Sequence, residues 1–232
     1  MDTTIIKPTR EDLFNAKKRI EPYIHKTPVL HSRLIDSITG CEVFFKCENF
    51  QKAGAFKFRG AINSLLCLSE EERDAGVCTH SSGNHAQALA LAASLCKVPA
   101  YIVMPENASI VKVQGVKSYG GKITFCRPLL SSREETLAKV REQSGATEIH
   151  PYNYLNTIEG QGSAAIELFE ELGTTDIIMA PVGGGGLLSG TALASRYISP
   201  QTKIVAAEPQ GADDAWQSFY QGLFIPSTKP KT

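Results

Sequence analysis

Short apolar runs alternate with helical patterns along almost all of this chain, and that alternation limits the fold more than any other feature. Thr9-Arg10-Glu11-Asp12 reads as a capped helix start, and the helix should run to about Glu21, where Pro22 interrupts it. The first strand is expected over 43–47, and the helix after Lys57 carries Ala61, Leu65 and Leu68 on one side. Further strands are expected over 76–80, 100–104, 122–126, 147–150, 176–182 and 203–208. The helices between and after them are placed over 85–95, 108–119, 133–144, 157–172, 187–197 and 212–221. Strands separated by single helices imply α/β architecture, with parallel sheets covered on both faces. Ligands of such sheets collect at the carboxyl ends of the strands. The tail over 225–232 has no helical or strand period and reads as a loop.

Charge and cysteine content narrow the partners. Lys+Arg and Asp+Glu are both 24, so the formal net charge is zero. Nucleic acid or an anionic membrane held by bulk charge is therefore not expected, although a local anion site is compatible with this balance. Cys41, Cys47, Cys67, Cys78, Cys96 and Cys126 form no C-x-x-C pair and suit no common zinc spacing. They read as reduced, mostly buried thiols of a cytoplasmic protein. The N-terminal residues 1–4 are polar and lack the apolar core of a signal peptide, and no apolar run approaches membrane-spanning length.

Four stretches carry candidate chemistry. In Ala55-Phe56-Lys57-Phe58-Arg59-Gly60 a lone lysine stands between two phenylalanines. Such a lysine either snorkels to solvent or is desolvated, and a desolvated ammonium readily loses its proton. The neutral amine is then a nucleophile suited to forming an imine with a carbonyl. Ser81-Ser82-Gly83-Asn84-His85 follows an expected strand and opens a helix, where free amides and small polar side chains suit a carboxylate or simply cap the turn. Gly183-Gly184-Gly185-Gly186 also lies between a strand and a helix; without Cβ atoms its N–H groups can converge on a phosphate. No lysine and Ser/Thr pair follows, so it is not the nucleotide P-loop. Glu208, 22 residues beyond Gly186, could serve a dinucleotide ribose, but a G-x-G-x-x-G run from Gly183 would need glycine where Leu188 stands. Glu208, Asp213 and Asp214 are hard ligands for Mg²⁺, Mn²⁺ or Ca²⁺, and equally are partners for a helix dipole, which the residues alone favour.

In combination these stretches resemble the fold-type II pyridoxal-phosphate enzymes, in particular the serine racemase and serine/threonine dehydratase family. The resemblance is carried by Phe45-Lys46-Cys47-Glu48-Asn49-Phe50-Gln51-Lys52, Phe56 to Ala61, Ser81 to Gln87, Gly183 to Gly186, Glu208-Pro209 and Ala212-Asp213-Asp214, in matching order across nearly the whole chain. It implies a tryptophan synthase β-like fold of two domains with parallel or mixed sheets and flanking helices. A large-domain part over 1–74 would carry the cofactor lysine, 75–152 a small domain, and 153–232 a second large-domain part with the phosphate loop.

By the same resemblance Lys57 would hold pyridoxal 5'-phosphate in a Schiff base, Asn84 would bond its ring oxygen, and Gly183, Gly184, Gly185, Gly186 and Leu187 would cradle its phosphate. Ser81, Ser82, Asn84 and His85 would form the substrate site, with Ser82 facing Cα from the side opposite Lys57. Glu208, the carbonyl of Ala212, and Asp214 would bind Mg²⁺ or Mn²⁺. Lys52, Gln87 and Tyr119 look like residues of an ATP effector site, although Tyr152 stands where the family has asparagine. The implied activity is release of ammonia from L-serine or L-threonine, by loss of the β-hydroxyl as water and hydrolysis of the resulting enamine, giving pyruvate from serine, or racemisation to D-serine, in a homodimer. Relatives continue well past Thr232, so the large domain is expected to be incomplete and the 232 residues to bind cofactor weakly. A nicotinamide-dependent oxidoreductase, and an impaired form that acts by binding a partner, are the alternatives.

Overall fold

The structure, a computed structural model, describes residues 7–227. The polar stretch read at 1–4 and the end of the tail, 228–232, lie outside the described residues. Helix α1 (Arg10–Ile20) opens with the expected capping box: Asp12 N–H donates to Thr9 Oγ1 at 3.2 Å, and Thr9 N–H donates to the Asp12 carboxylate at 2.8 Å. An antiparallel ribbon follows that the alternation does not predict. Strand β1 (Val29–His31), helix α2 (Arg33–Thr39) and strand β2 (Phe44–Lys46) form it, with Leu30 opposite Phe45. Two strands of three residues are too short to show a period, so β1 is silent in the sequence.

Helix α3 (Lys57–Leu66) begins at the lysine itself and buries Ala61 and Leu65, whereas Leu68 lies past its end. Helix α4 (Glu70–Ala75), a short capped turn absent from the pattern, leads into β3 (Val77–His80) and α5 (Asn84–Cys96). Then come β4 (Ala100–Pro105), α6 (Ile110–Ser118), β5 (Lys122–Cys126), α7 (Leu130–Ser144) and β6 (Thr147–Glu148). These strands form one parallel sheet in the order β5-β4-β3-β6. Helix α8 (Leu155–Leu172), β7 (Ile177–Pro181), α9 (Gly186–Ile198), β8 (Lys203–Ala207) and α10 (Asp214–Gln221) complete the described chain, with β7 and β8 paired in parallel. The main core joins Phe58, Ile62 and Leu65 of α3 to Leu89 of α5 and to Ile102 and Met104 of the sheet. A second core packs Leu13 against Ile166, Phe169, Ile178 and Ala194.

Glycines set the helix spacing. A Cβ on Gly160 of α8 would meet the Arg59 carbonyl at 2.5 Å, and one on Gly190 of α9 would meet the Gly162 amide at 2.6 Å. Helix α8 therefore holds α3 against one side and α9 against another at backbone contact. The N-terminal ends of α3 and α9, which carry Lys57 and the glycine bend, are brought into one region.

Arg59 ties these helices to the ribbon. Its side chain is fully buried and forks to two carboxylates: Nε and Nη2 donate to Glu48 at 2.8 Å each, and Nη1 and Nη2 donate to Glu167 at 2.7 and 2.9 Å. Lys46 Nζ completes a neutral set, 2.7 Å from Glu167 and 2.7 Å from the Thr27 carbonyl. Burial works against the guanidinium charge, and the two carboxylates outweigh it, so Arg59 stays above its usual pKa. Burial likewise opposes the Glu167 charge, and Arg59 with Lys46 holds that carboxyl below its usual range.

The cysteines depart from expectation. Only Cys78 and Cys126 are buried; Cys41 and Cys67 are exposed, and all six are free. Proximity to apolar residues misled here, because Phe44 and Phe45 of the ribbon are themselves 40% and 42% exposed.

Replacing Arg59 by Met leaves the buried Glu167 carboxylate and the half-buried Glu48 carboxylate facing one lysine. Unfolding free energy from denaturant titration is expected to drop by about 3–5 kcal/mol. Arg59→Lys, which keeps the charge but cannot fork to both carboxylates, is expected to lose less.

Candidate active site

Lys57 starts α3 beneath the turn that follows β6. Its Nζ donates to the carbonyl of Pro151 at 2.8 Å, and the rings of Phe56 and Tyr152 stand 5.1 and 5.8 Å from it. Among the described residues no carboxylate lies within ion-pair distance. Burial without a counter-ion pulls the ammonium down from its usual 10.5 to about 8. A useful fraction of free amine is therefore present near neutral pH.

The glycine bend closes the other side. Gly185 has φ +84°, a left-handed conformation that glycine adopts without strain. The α9 amides of Gly186, Leu187 and Leu188 have no acceptor within the helix and are available to an anion. Among the described residues nothing lies within 4 Å of a Cβ built on Gly183 or Gly185, whereas one on Gly184 would run into the Tyr152 ring. Gln161 of α8 is fully buried; its Nε2 donates to the Pro151 carbonyl at 3.4 Å and its Oε1 has no partner among the described residues, with a Cβ on Gly186 only 2.5 Å away.

Ser81 to His85 cross from β3 into α5 as expected. Gly83 N–H donates to Ser81 Oγ at 3.3 Å, and the side chains of Ser82 and Asn84 are exposed. Lys112 of α6 donates to Asn84 Oδ1 at 2.5 Å, which leaves the Asn84 NH₂ free to donate. The His85 side chain turns inward. It is 2% exposed, its Nε2–H donates to the Ile149 carbonyl at 2.9 Å, and its Nδ1 is buried without a partner among the described residues. Burial drives its pKa down to about 3, so the ring is neutral and cannot offer a cation to a carboxylate. What residue 85 can give a substrate is its backbone N–H, in the first turn of α5.

Glu208 lies at the end of β8 and caps α10. Its carboxylate accepts from Trp216 N–H at 2.8 Å and from Ala215 N–H at 3.4 Å. Ala212 closes the short 3-10 turn before α10 and Asp214 is the first helical residue. Among the described residues no three His, Cys, Asp or Glu side chains converge as a metal cluster. Lys52, Gln87 and Tyr119 surround α5, on the turn before α3, on α5 itself and at the end of α6.

Pro151, Tyr152, Lys112 and Gln161 escaped the sequence reading as residues around the lysine, Tyr152 having been weighed only at the effector site. For the first two a signal existed: they follow a strand of a parallel sheet at its carboxyl end, where ligands gather. For Lys112 and Gln161, each on a helix face, there was none.

Residues 20–232 match the family model described as pyridoxal-phosphate dependent enzyme. Serine racemase of rice, Oryza sativa subsp. indica, is 55% identical over 217 residues, 94% of this chain and 63% of the relative. The chain thus spans less than two thirds of that relative's length. Beta-hydroxyaspartate dehydratase of Paracoccus denitrificans is 48% identical over 97% of this chain and 71% of its own. The solved structure of maize serine racemase superimposes with a TM-score of 0.94 at 50% identity, covering 98% of this chain and 68% of the maize chain.

Two alanine substitutions separate the walls of the bend. Gly184→Ala has to push the Tyr152 ring away, and thermal or denaturant unfolding is expected to show a loss of about 1–3 kcal/mol. Gly183→Ala points its methyl into open space and is expected to stay within about 0.5 kcal/mol of the parent.

Proposed function

Because the chain belongs to the pyridoxal-phosphate-dependent enzyme family, we propose that it is an ammonia-lyase or racemase of L-serine and related β-hydroxy amino acids. The family match sets aside the nicotinamide reading of the glycine bend. One observation carries the proposal: a half-buried lysine with no counter-ion among the described residues, pulled down to about 8, opens α3, which packs on the same helix α8 as the helix that starts at the glycine bend.

The residues present fit the cofactor. Gly183, Gly184, Gly185, Gly186 and Leu187 would hold its phosphate with unpaired amides, the Asn84 NH₂ would donate to its ring oxygen, and Lys57 would form the covalent link. Bound, the cofactor accepts the electron pair left at Cα when that carbon loses its proton. Once the substrate amino group has displaced it from that link, Lys57 Nζ would emerge as an amine beside Cα and would take the Cα proton on one face. Ser81, the Asn84 side chain and the first-turn amides of α5, His85 included, hold the substrate carboxylate. Departure of the β-hydroxyl as water, followed by hydrolysis of the resulting enamine, would give ammonia and, from serine, pyruvate. A proton returned by Ser82 Oγ on the opposite face gives D-serine.

The reading extends to a divalent cation, Mg²⁺ or Mn²⁺, at Glu208, the Ala212 carbonyl and Asp214. A carboxylate offers about four lone-pair positions, so Glu208 can cap α10 and still bind a cation. ATP at Lys52, Gln87 and Tyr119, and a cytoplasmic homodimer, belong to the same reading. Among the described residues no helix is long and apolar enough to cross a membrane.

Purified protein with cofactor and L-serine is expected to release pyruvate, D-serine or both, and Lys57→Ala to abolish both products and the visible absorbance of the bound cofactor. Absence of both products from the parent protein would remove the proposal. Chelation of divalent cations is expected to lower the unfolding temperature, with Mg²⁺ restoring it; Glu208→Gln is expected to abolish that response.

A further inference from the structure

His150 stands next to the residue whose carbonyl holds Lys57, and it organises the whole turn. Its Nδ1 accepts from two backbone amides of that turn, Tyr152 N–H at 3.3 Å and Asn153 N–H at 3.0 Å. Backbone amides only donate, so Nδ1 must carry a lone pair and the ring proton sits on Nε2. This is the bond pattern of an asparagine that closes a turn on its own backbone, made here by an imidazole. Thr157 Oγ1 fixes the residue from below, donating to the His150 carbonyl at 3.1 Å, and the Tyr152 ring packs edge-on against the imidazole at 4.6 Å.

The closed turn has two consequences for the site. It presents the Pro151 carbonyl to Lys57 Nζ, and it lays the Tyr152 ring over Gly184. A proton added at Nδ1 removes the only lone pair that the two amides use. We propose that neutral His150 is a positioning residue, a proton-sensitive clasp whose opening releases Lys57 from Pro151 and lifts Tyr152 from the glycine bend. The inference rests on the reading of Lys57 as the cofactor lysine for its importance to activity, but the clasp is a property of the protein without cofactor.

The charges around the ring favour the closed form at neutral pH. Burial lowers the His150 pKa; Glu148 of β6 raises it, while His80 at the end of β3 and Lys57 at the start of α3 lower it further. His85 of α5 is also close but neutral. The net shift is downward, so the clasp is closed above the usual histidine range near 6.5 and opens as pH falls below it.

His150→Asn and His150→Ala separate the acceptor from its titration. Asparagine puts an oxygen near the position of Nδ1 and takes no proton; alanine supplies no acceptor. Acetylation of Lys57 in the cofactor-free full chain, followed by peptide mapping across pH, reports the pKa of Nζ. Parent and His150→Asn are expected to agree near 8, and His150→Ala to move up by about one pH unit or more as the amine reaches water. Amide NMR of the parent from about pH 8 to about 5 should show Tyr152 and Asn153 shifting at the His150 midpoint. The His150→Asn protein should lack that step.

A folded His150→Ala protein with Lys57 unmoved overturns the clasp. So do Tyr152 and Asn153 amides that ignore the His150 midpoint, or a His150→Asn protein that keeps the step. If His150→Ala does not fold, the spectra of the parent and His150→Asn decide alone. A Lys57 that shifts as described in a protein that never develops the cofactor's absorbance upholds the clasp and refutes the cofactor assignment instead.

Discussion

The buried guanidinium of Arg59 is the constraint around which the structure is arranged. A lone charge in that position would cost several kcal/mol. Two forked carboxylates and a second cation reduce that cost by balancing the site: Arg59 and Lys46 against Glu48 and Glu167. The partners come from three places in the chain, the ribbon with its following turn, α3, and α8. Only when all three are docked is every charge paired, so the set rewards one arrangement and penalises partial ones. Such planar, two-sided recognition needs arginine, because a lysine offers no fork. Lys57 lies two residues before Arg59 on the same helix, so the first turn of α3 inherits its placement from this set.

The same logic joins α3 to the glycine bend. Helix α8 supplies Glu167 to Arg59, Gly160 to the backbone of α3 and Gly162 to the backbone of α9. A side chain at either glycine would have to push a helix away. The ends of α3 and α9 are helix N-termini, where free amides and dipoles favour anions. Two such ends held near one half-buried amine form a site of positive potential in a chain whose formal net charge is zero.

Most of the architecture was legible because it is periodic. The strands of the parallel sheet, the helices between them and the capping box at Thr9 all announced themselves through spacing. What was silent is what distance in sequence conceals. Nothing near Arg59 indicates that Glu167, more than a hundred positions away, will meet it. The three-residue ribbon strands carried no period, and the cysteines beside them looked more buried than they are. At the site the lysine, the glycine bend and the Ser81 turn were readable as motifs. The His85 side chain was not, because its burial depends on a carbonyl at Ile149 that only the fold supplies.

Lys46 and Lys57 show why motif and environment have to be read together. Both lie beside phenylalanines in the sequence, Lys46 after Phe44-Phe45 and Lys57 between Phe56 and Phe58. Lys46 is 9% exposed, but its ammonium lies against the Glu167 carboxylate and is fixed as a cation in the Arg59 set. Among the described residues, Lys57 meets the neutral carbonyl of Pro151 and the faces of two aromatic rings, with no carboxylate in ion-pair reach. A carbonyl and π-faces orient an ammonium without compensating its lost hydration as a full negative charge would. One lysine is therefore held as a structural charge, while the other is held in place with its proton loosened. An amine that is both positioned and partly neutral is what attack on an aldehyde and abstraction of a Cα proton require, and it arises here from the absence of one carboxylate beside an otherwise similar residue.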